Sequence, residues 1–193
     1  IIHGERRYTY RQFWERSCRL ASALTRRGIG PGDCVAIMAA NTPEMLEAHN
    51  GIPMVGAVLN SLNFRLDAGT IAFILEHGQA RVLITDRAFS STIGEALQKI
   101  DRKLLVIDID DPTAPEGDLL GETDYESLLA EGEAVYHSDQ PDDEWQALSL
   151  LYTSGTTGNP KGCVYHHRGG YLNALGNMNT MGLTRESVYL WTL

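Results

Sequence analysis

Residues 150–162 have the sequence LLYTSGTTGNPKG. This stretch brings four serine and threonine hydroxyls, three glycines and one lysine together behind a short apolar run. Glycines let backbone N–H groups approach an anion closely, hydroxyls add neutral donors, and the ammonium group of Lys161 supplies a point charge for phosphate oxygens. The composition therefore predicts a loop that binds the polyphosphate of a nucleotide.

A P-loop is the nearest alternative, because it also ends a glycine-rich loop with lysine, in the pattern GxxxxGK(S/T). Counted from Gly155, the second glycine of that pattern falls on Pro160, which has no N–H to donate, and the magnesium ligand falls on Gly162. The residues that follow, Val164 and Tyr165, favour a strand, whereas a P-loop requires a helix there. The stretch is therefore predicted to form a strand, a loop and a second strand.

Residues 152–162 resemble the phosphate-binding signature of the adenylate-forming superfamily, which comprises acyl-CoA synthetases, peptide-synthetase adenylation domains and luciferases. The segments NTPE at 41–44, GAVLN at 56–60 and VYHHRGG at 164–170 resemble the acyl-CoA synthetase branch. Residues 162–193 look closest to synthetases of medium-chain or small acids, some of which use 3-methylmercaptopropionate. Because chains of this superfamily are much longer, the resemblance implies an amino-terminal piece of a larger enzyme.

Hydrophobic periodicity predicts that helices and strands alternate along the chain. A first helix is expected from Thr9, as its N-cap, to a stop at Gly28. Strands are expected at 33–39, 55–59, 81–85 and 104–109, and helices from 42, at 70–76 and at 90–99. This order predicts an α/β fold with a doubly wound, mainly parallel sheet and helices on both faces. By resemblance, the sheet is part of the large N-terminal domain of an adenylate-forming enzyme.

Composition changes in the second half of the chain. Residues 110–121 are acidic and rich in proline, and residues 131–144 are polar, on either side of a possible short helix at 124–129. We therefore predict a subdomain junction near 110–144. Residues 1–193 are expected to be an incomplete AMP-binding domain without its C-terminal domain, and the apolar run at 189–193 is predicted to be a strand.

Charge and cysteine usage limit the classes of protein. The formal net charge is −9, and the basic residues are scattered, which argues against a nucleic-acid surface. No apolar run is long enough to predict a membrane span. The cysteines Cys18, Cys34 and Cys163 are odd in number and show no CxxC spacing, which favours a reducing, cytoplasmic setting.

The resemblance implies a two-step reaction. A carboxylate attacks the α-phosphorus of ATP and releases pyrophosphate, and the acyl group is then transferred to a thiol, commonly that of coenzyme A. By resemblance, Thr153 helps to hold Mg²⁺, and the β- and γ-phosphates contact Ser154, Gly155, Thr156, Thr157, Gly158 and Lys161. Lys161 is the expected catalytic residue, because charge that grows on the leaving pyrophosphate must be neutralised.

ATP, Mg²⁺ and coenzyme A are thus the expected cofactors and substrates, together with a small-molecule carboxylic acid. The isolated chain is expected to be inactive, because the acidic magnesium ligand, the ribose-binding aspartate and the adenylation lysine of relatives lie further downstream. Three alternatives stay open: an adenylation domain that loads a carrier-protein thiol, a non-catalytic nucleotide-binding module, and an unrelated sheet protein whose hairpin merely resembles the motif. The sequence predicts neither the oligomeric state nor the acid.

Other candidate sites are weaker. Acidic residues over 108–118 could suggest a calcium loop, but Thr113 occupies the position that requires glycine. His166 and His167 are adjacent, and if they lie on a strand their side chains point to opposite faces and do not share a metal ion. Cys163 is interpreted as a small packed hydrophobic residue, and His77, in a helical segment, as an ordinary packing residue.

Overall fold

The computed structural model describes residues 1–138, 141–153 and 158–192. Nine strands and six helices occur in these residues. Their order is β1 (Ile2–His3), β2 (Arg6–Arg7), α1 (Tyr10–Arg26), β3 (Cys34–Met38), α2 (Pro43–Met54), β4 (Val58–Ser61), α3 (Ala68–His77), β5 (Ala80–Asp86), α4 (Ser90–Leu97), β6 (Leu105–Ile109), β7 (Thr123–Asp124), α5 (Tyr125–Glu131), β8 (Ala147–Thr153), β9 (Lys161–His166) and α6 (His167–Met181).

Strands β3 to β9 form a seven-stranded sheet in the order β7-β6-β5-β3-β4-β8-β9. Neighbouring strands run parallel except for the last pair, β8 and β9, which is antiparallel. The chain runs outward from β3 to β4 and then crosses β3 to form β5 on its other side. This order confirms the predicted doubly wound, mainly parallel α/β sheet.

Alternate residues of β3 point into two separate apolar cores. Val35 and Ile37 pack in the core that receives α1, α2 and α5, whereas Cys34, Ala36 and Met38 pack in the core that receives α3 and α4. All five side chains are buried, because helices cover both faces of the sheet. The prediction of helices on both faces is therefore confirmed.

Side-chain caps explain where the first helices begin. The Thr9 hydroxyl accepts from the Gln12 N–H, and the Gln12 side chain accepts from the Thr9 N–H, which completes a capping box at α1. Thr42 caps α2, with Pro43 as its first residue, and Asp67 caps α3. These starts confirm the predicted helix positions to within a few residues.

The fourth strand lies further along the chain than predicted. The sequence indicated a strand over 55–59, whereas β4 spans Val58–Ser61. Helix α2 continues through Pro53 to Met54. The N–H groups of Val55 and Gly56 then donate to carbonyls of its last turn, and Gly56 has a φ of 72°. That turn occupies residues that the apolar pattern had assigned to the strand.

Polar side chains along α1 hold the segment 126–136 against the helix. The contacts are Arg16 with Glu126, Arg19 with the Gly132 carbonyl, Thr25 with Tyr136, Arg26 with Glu133 and Arg27 with Glu131. The partners are separated by 104 to 113 residues in the sequence. This segment lies within the range of the proposed subdomain junction, which stays a prediction.

The end of the chain differs from the sequence analysis. Helix α6 was not predicted, and the predicted strand over 189–193 is wrong for its described residues, which form no ladder. Instead, Trp191 packs edge-on against His49 of α2 at a centroid distance of 5.8 Å, and the Asn41 amide donates to its carbonyl at 3.3 Å. Among the described helices, none combines the length and apolarity needed to traverse a bilayer.

Candidate functional site

Strands β8 and β9 form an antiparallel hairpin around the glycine-rich loop, which confirms the predicted strand, loop and strand. In its register, Tyr152 is paired with Gly162, and Thr153 with Lys161. Thr153 is the last residue of β8 and Lys161 the first of β9, and both side chains are exposed. The hydroxyl and the ammonium therefore lie on facing strands where the loop begins and ends.

The structure describes three of the seven predicted phosphate-site residues, namely Thr153, Gly158 and Lys161. The predictions for Ser154, Gly155, Thr156 and Thr157 fall outside the described residues. Gly158 has a φ of 150°, a backbone conformation that residues with a side chain rarely adopt, and a Cβ placed there would meet no atom of the described residues within 4 Å. The backbone conformation at position 158 thus favours glycine.

Lys161 is available to an anionic ligand. Within residues 1–138, 141–153 and 158–192, its ammonium forms no ion pair with a carboxylate. Arg168, which follows the hairpin, is instead paired with Glu144 at 2.5 Å. An exposed lysine opposite the Thr153 hydroxyl is suited to bind the phosphates of a nucleotide.

The Thr153 hydroxyl is the described oxygen donor that the sequence analysis assigned to magnesium. Thr153 offers a neutral hydroxyl, and the described residues contain no group of three or more His, Cys, Asp or Glu side chains that could hold a metal. Magnesium in nucleotide enzymes keeps several waters and is bound by a few protein oxygens together with the substrate phosphates. The Thr153 hydroxyl therefore suits a magnesium ion that arrives with the nucleotide.

Tyr152 connects the hairpin with α3. Its hydroxyl lies 2.7 Å from Nδ1 of His77, and the two rings meet edge-on with centroids 5.8 Å apart. Burial raises the pKa of the Tyr152 phenol, so the hydroxyl keeps its proton. Sequence reasoning treated His77 as a packing residue and missed this contact, because the two residues are 75 positions apart and carry no shared local pattern.

The remaining candidates have structural roles. His166 ends β9, and its Nδ1 accepts from the Gly169 N–H at 2.9 Å, so it caps α6, while His167 is the first residue of that helix. The premise that both histidines lie on a strand is therefore wrong.

Cys163 is exposed, which contradicts its interpretation as a packed residue. Asp108 accepts from the Leu120 and Gly121 N–H groups and so stabilises its own loop.

Sequence analysis also missed a buried carboxyl group in α2. Glu47 is 1% exposed, accepts from Arg16 Nε at 2.6 Å and from the Tyr125 hydroxyl at 3.1 Å. Burial raises the pKa of Glu47 to about 7, although the Arg16 guanidinium opposes the shift. Because α1, α2 and α5 meet at this group, it joins the helices of one face of the sheet.

A solved structure shares this fold. An anthranilate–CoA ligase in complex with anthranoyl-AMP superposes with a TM-score of 0.81 and 26% sequence identity, over 89% of this chain and 32% of that one. The likeness extends to most of the described sheet and helices.

Two plant enzymes are similar in sequence over the whole chain. An acetate/butyrate–CoA ligase from Arabidopsis thaliana is 47% identical over 205 residues, which cover 100% of this chain and 36% of the relative. A benzoate–CoA ligase from the same plant is 42% identical over 202 residues, which cover 100% of this chain and 35% of the relative. Both are named as peroxisomal, and this finding overturns the cytoplasmic setting predicted from the cysteines.

A match to a protein-family model shows the family of this chain. The sequence model described as AMP-binding enzyme matches residues 1–193, which is the full length of the chain. This match agrees with the resemblance carried by residues 152–162 and with the strand, loop and strand that the structure places there. The chain belongs to the AMP-binding enzyme family.

Proposed function

We propose that the whole protein is an AMP-forming acid–thiol ligase that activates a carboxylic acid with ATP and then forms its coenzyme A thioester. The observation that carries the proposal is the hairpin in which Thr153 and Lys161 are paired at the two ends of a glycine- and hydroxyl-rich loop. Relatives named as acetate/butyrate–CoA and benzoate–CoA ligases support the same activity.

In the first step, a carboxylate oxygen attacks the α-phosphorus, a new P–O bond forms, and the bond to pyrophosphate breaks. Negative charge grows on the leaving pyrophosphate, and the Lys161 ammonium and the loop donors, including Gly158, stabilise it. The Thr153 hydroxyl would be one ligand of a magnesium ion, which would neutralise phosphate charge. The acyl-adenylate produced in this step then reacts with the thiol of coenzyme A, and AMP is released.

We further propose that residues 1–193 are an incomplete large N-terminal domain, with a subdomain junction near 110–144, and that this chain alone does not complete the reaction. The chain spans 36% of the acetate/butyrate relative, which supports this proposal. Pyrophosphate exchange by residues 1–193 at the full-length rate would contradict it.

The test is carboxylate-dependent exchange of labelled pyrophosphate into ATP by the full-length protein. Acetate, butyrate, benzoate and 3-methylmercaptopropionate are compared, and thioester formation with coenzyme A is then measured for any acid that supports exchange. Exchange followed by thioester formation is the expected result. Exchange without coenzyme A dependence would indicate an adenylation domain for a carrier-protein thiol, and no exchange with any acid would contradict the ligase activity.

The names of the plant relatives support a peroxisomal location for the whole protein. Immunostaining of the untagged full-length protein against a peroxisomal marker tests it, and a diffuse signal would contradict it.

A further inference from the structure

The ladder that joins β8 to β4 contains one register pair among the described residues, Leu59 with Ser149. Beyond that pair, β8 continues through Tyr152 to Thr153, and the Tyr152–His77 hydrogen bond joins it to the end of α3. This side-chain contact therefore ties the loop end of the hairpin to α3.

The Tyr152 ring touches both strands of the hairpin. A Cβ placed on Gly162 would lie 3.4 Å from Cζ of Tyr152, which shows that the ring lies over this glycine. Tyr152 directly precedes Thr153, and Gly162 directly follows Lys161. Whatever holds the Tyr152 ring therefore holds the residues next to both predicted phosphate contacts.

The ring of His77 is packed against another side chain of α3. Its ring stacks on Phe73, one turn earlier in α3, at a centroid distance of 5.2 Å and an interplanar angle of 21°. The Tyr152 hydroxyl also packs close to Gly78, where an added Cβ would lie 3.3 Å from it. The hydroxyl thus contacts the C-terminal end of α3, so the position of this helix end bears on the position of the hairpin.

We infer that His77 is a positioning residue, which acts through Tyr152 to orient the hairpin so that Thr153 and Lys161 meet the phosphates of ATP. The inference rests on the proposed function. Groups that stabilise a leaving pyrophosphate act only when they are placed to within a fraction of an ångström, so a displaced hairpin weakens nucleotide binding even though no phosphate contact is removed.

The test uses the full-length protein and the variants Tyr152→Phe, His77→Leu and their double mutant. The Kd of Mg·ATP is measured by titration calorimetry, and the KM values for ATP and for the carboxylic acid are measured in the exchange assay. Each single variant is expected to weaken Mg·ATP binding by about threefold to tenfold, the effect of one neutral hydrogen bond. The double mutant is expected to be no weaker than either single variant, and the KM for the acid is expected to stay unchanged.

Two controls separate positioning from stability. His77→Gln keeps a polar side chain that can bond to the phenol and is expected to stay within about twofold of the wild type. Tyr165→Phe removes a hydroxyl from the same hairpin, at a side chain that is 50% exposed, and is expected to have no effect. The inference would be overturned if the double mutant raised the Kd of Mg·ATP by the product of the two single effects. It would also be overturned if the variants had lower melting temperatures but unchanged Mg·ATP binding. If the wild type shows no exchange of pyrophosphate into ATP, only the proposed function is contradicted. The Kd of Mg·ATP still tests the Tyr152–His77 contact.

Discussion

Thr153 and Lys161 are a directly paired couple across the β8–β9 hairpin, at the point where the two strands separate into the loop. The pairing sets a hydroxyl opposite an ammonium that forms no ion pair within the part of the chain that the structure describes. Strand pairing therefore fixes the spacing of the two backbone positions that carry these groups, which are eight positions apart in the numbering.

Lys161→Ala in the full-length enzyme is expected to lower the adenylation rate by about a hundredfold, the loss of roughly 3 kcal/mol of transition-state stabilisation. Binding of the carboxylic acid is expected to change much less, because the ammonium is proposed to act on the pyrophosphate. Single-turnover formation of the acyl-adenylate measures the effect, and Lys103→Ala, at an exposed lysine, is the matched control. An unchanged rate would remove Lys161 from the proposed mechanism.

Gly158→Ala is expected to weaken Mg·ATP binding through its backbone conformation, because a Cβ at this position meets no atom of the described residues within 4 Å. The cost comes from the φ of 150°, and such strain typically costs about 1–3 kcal/mol. Calorimetric titration with Mg·ATP measures the effect. Gly176→Ala, in α6 with an equally open Cβ position, should bind Mg·ATP as the wild type does, and equal behaviour of the two variants would contradict the argument.

Gly51→Ala is expected to lower the free energy of unfolding by about 1–3 kcal/mol, because its Cβ would lie 2.9 Å from both Cδ2 of Leu20 and the Ser17 carbonyl oxygen. Helices α1 and α2 would have to move apart. Gly94→Ala, in α4 with nothing within 4 Å of the added Cβ, is instead expected to raise the free energy by up to about 1 kcal/mol. Urea unfolding measures both, and a stabilising Gly51→Ala would show that the two helices are not in close contact.

Glu47→Gln is expected to become more stable relative to the wild type as the pH rises from 5 to 8. A carboxyl group whose pKa is raised from 4.5 to about 7 by burial holds its proton more tightly in the folded state. Its contribution to stability is therefore complete below pH 4.5 and is lost as the pH rises through about 7. The glutamine variant carries no such proton.

Melting temperatures across this pH range measure the difference for Glu47→Gln. Glu126→Gln is the control, since Glu126 also pairs with Arg16 but its side chain is 62% exposed. A pH-independent difference between the wild type and Glu47→Gln would mean that Glu47 is ionised throughout.

Local chemistry explains which parts of the fold the sequence predicts. Thr9, Thr42 and Asp67 cap helices through bonds to residues three positions away, so the signal lies within one turn of sequence. The continuous apolar run of β3 likewise requires burial on both faces. These features need no knowledge of distant residues, and the caps at Thr9 and Thr42 and the buried strand β3 were predicted correctly, whereas the cap at Asp67 was not predicted.

The features that were missed depend on partners far away in the sequence. Glu47 looks like an ordinary helical acid until Arg16 and Tyr125 are placed against it, 31 and 78 residues away. His77 gains its contact from Tyr152 in the same way. For the phosphate site, the sequence predicted the lysine, the hydroxyls and the strands, whereas the attachment of the hairpin to α3 required the structure.

The contacts of α1 with residues 126–136 also govern how the chain can fold during its synthesis. Arg16 and Glu126 are 110 positions apart, and at typical ribosomal rates of about 5–20 residues per second, Glu126 is added roughly 5 to 20 seconds after Arg16. Until then, Arg16 can pair with Glu47, but Arg26 and Arg27 lack the glutamates that they contact in the folded chain. The packing of residues 126–136 on α1 therefore begins several seconds after α1 has been synthesised.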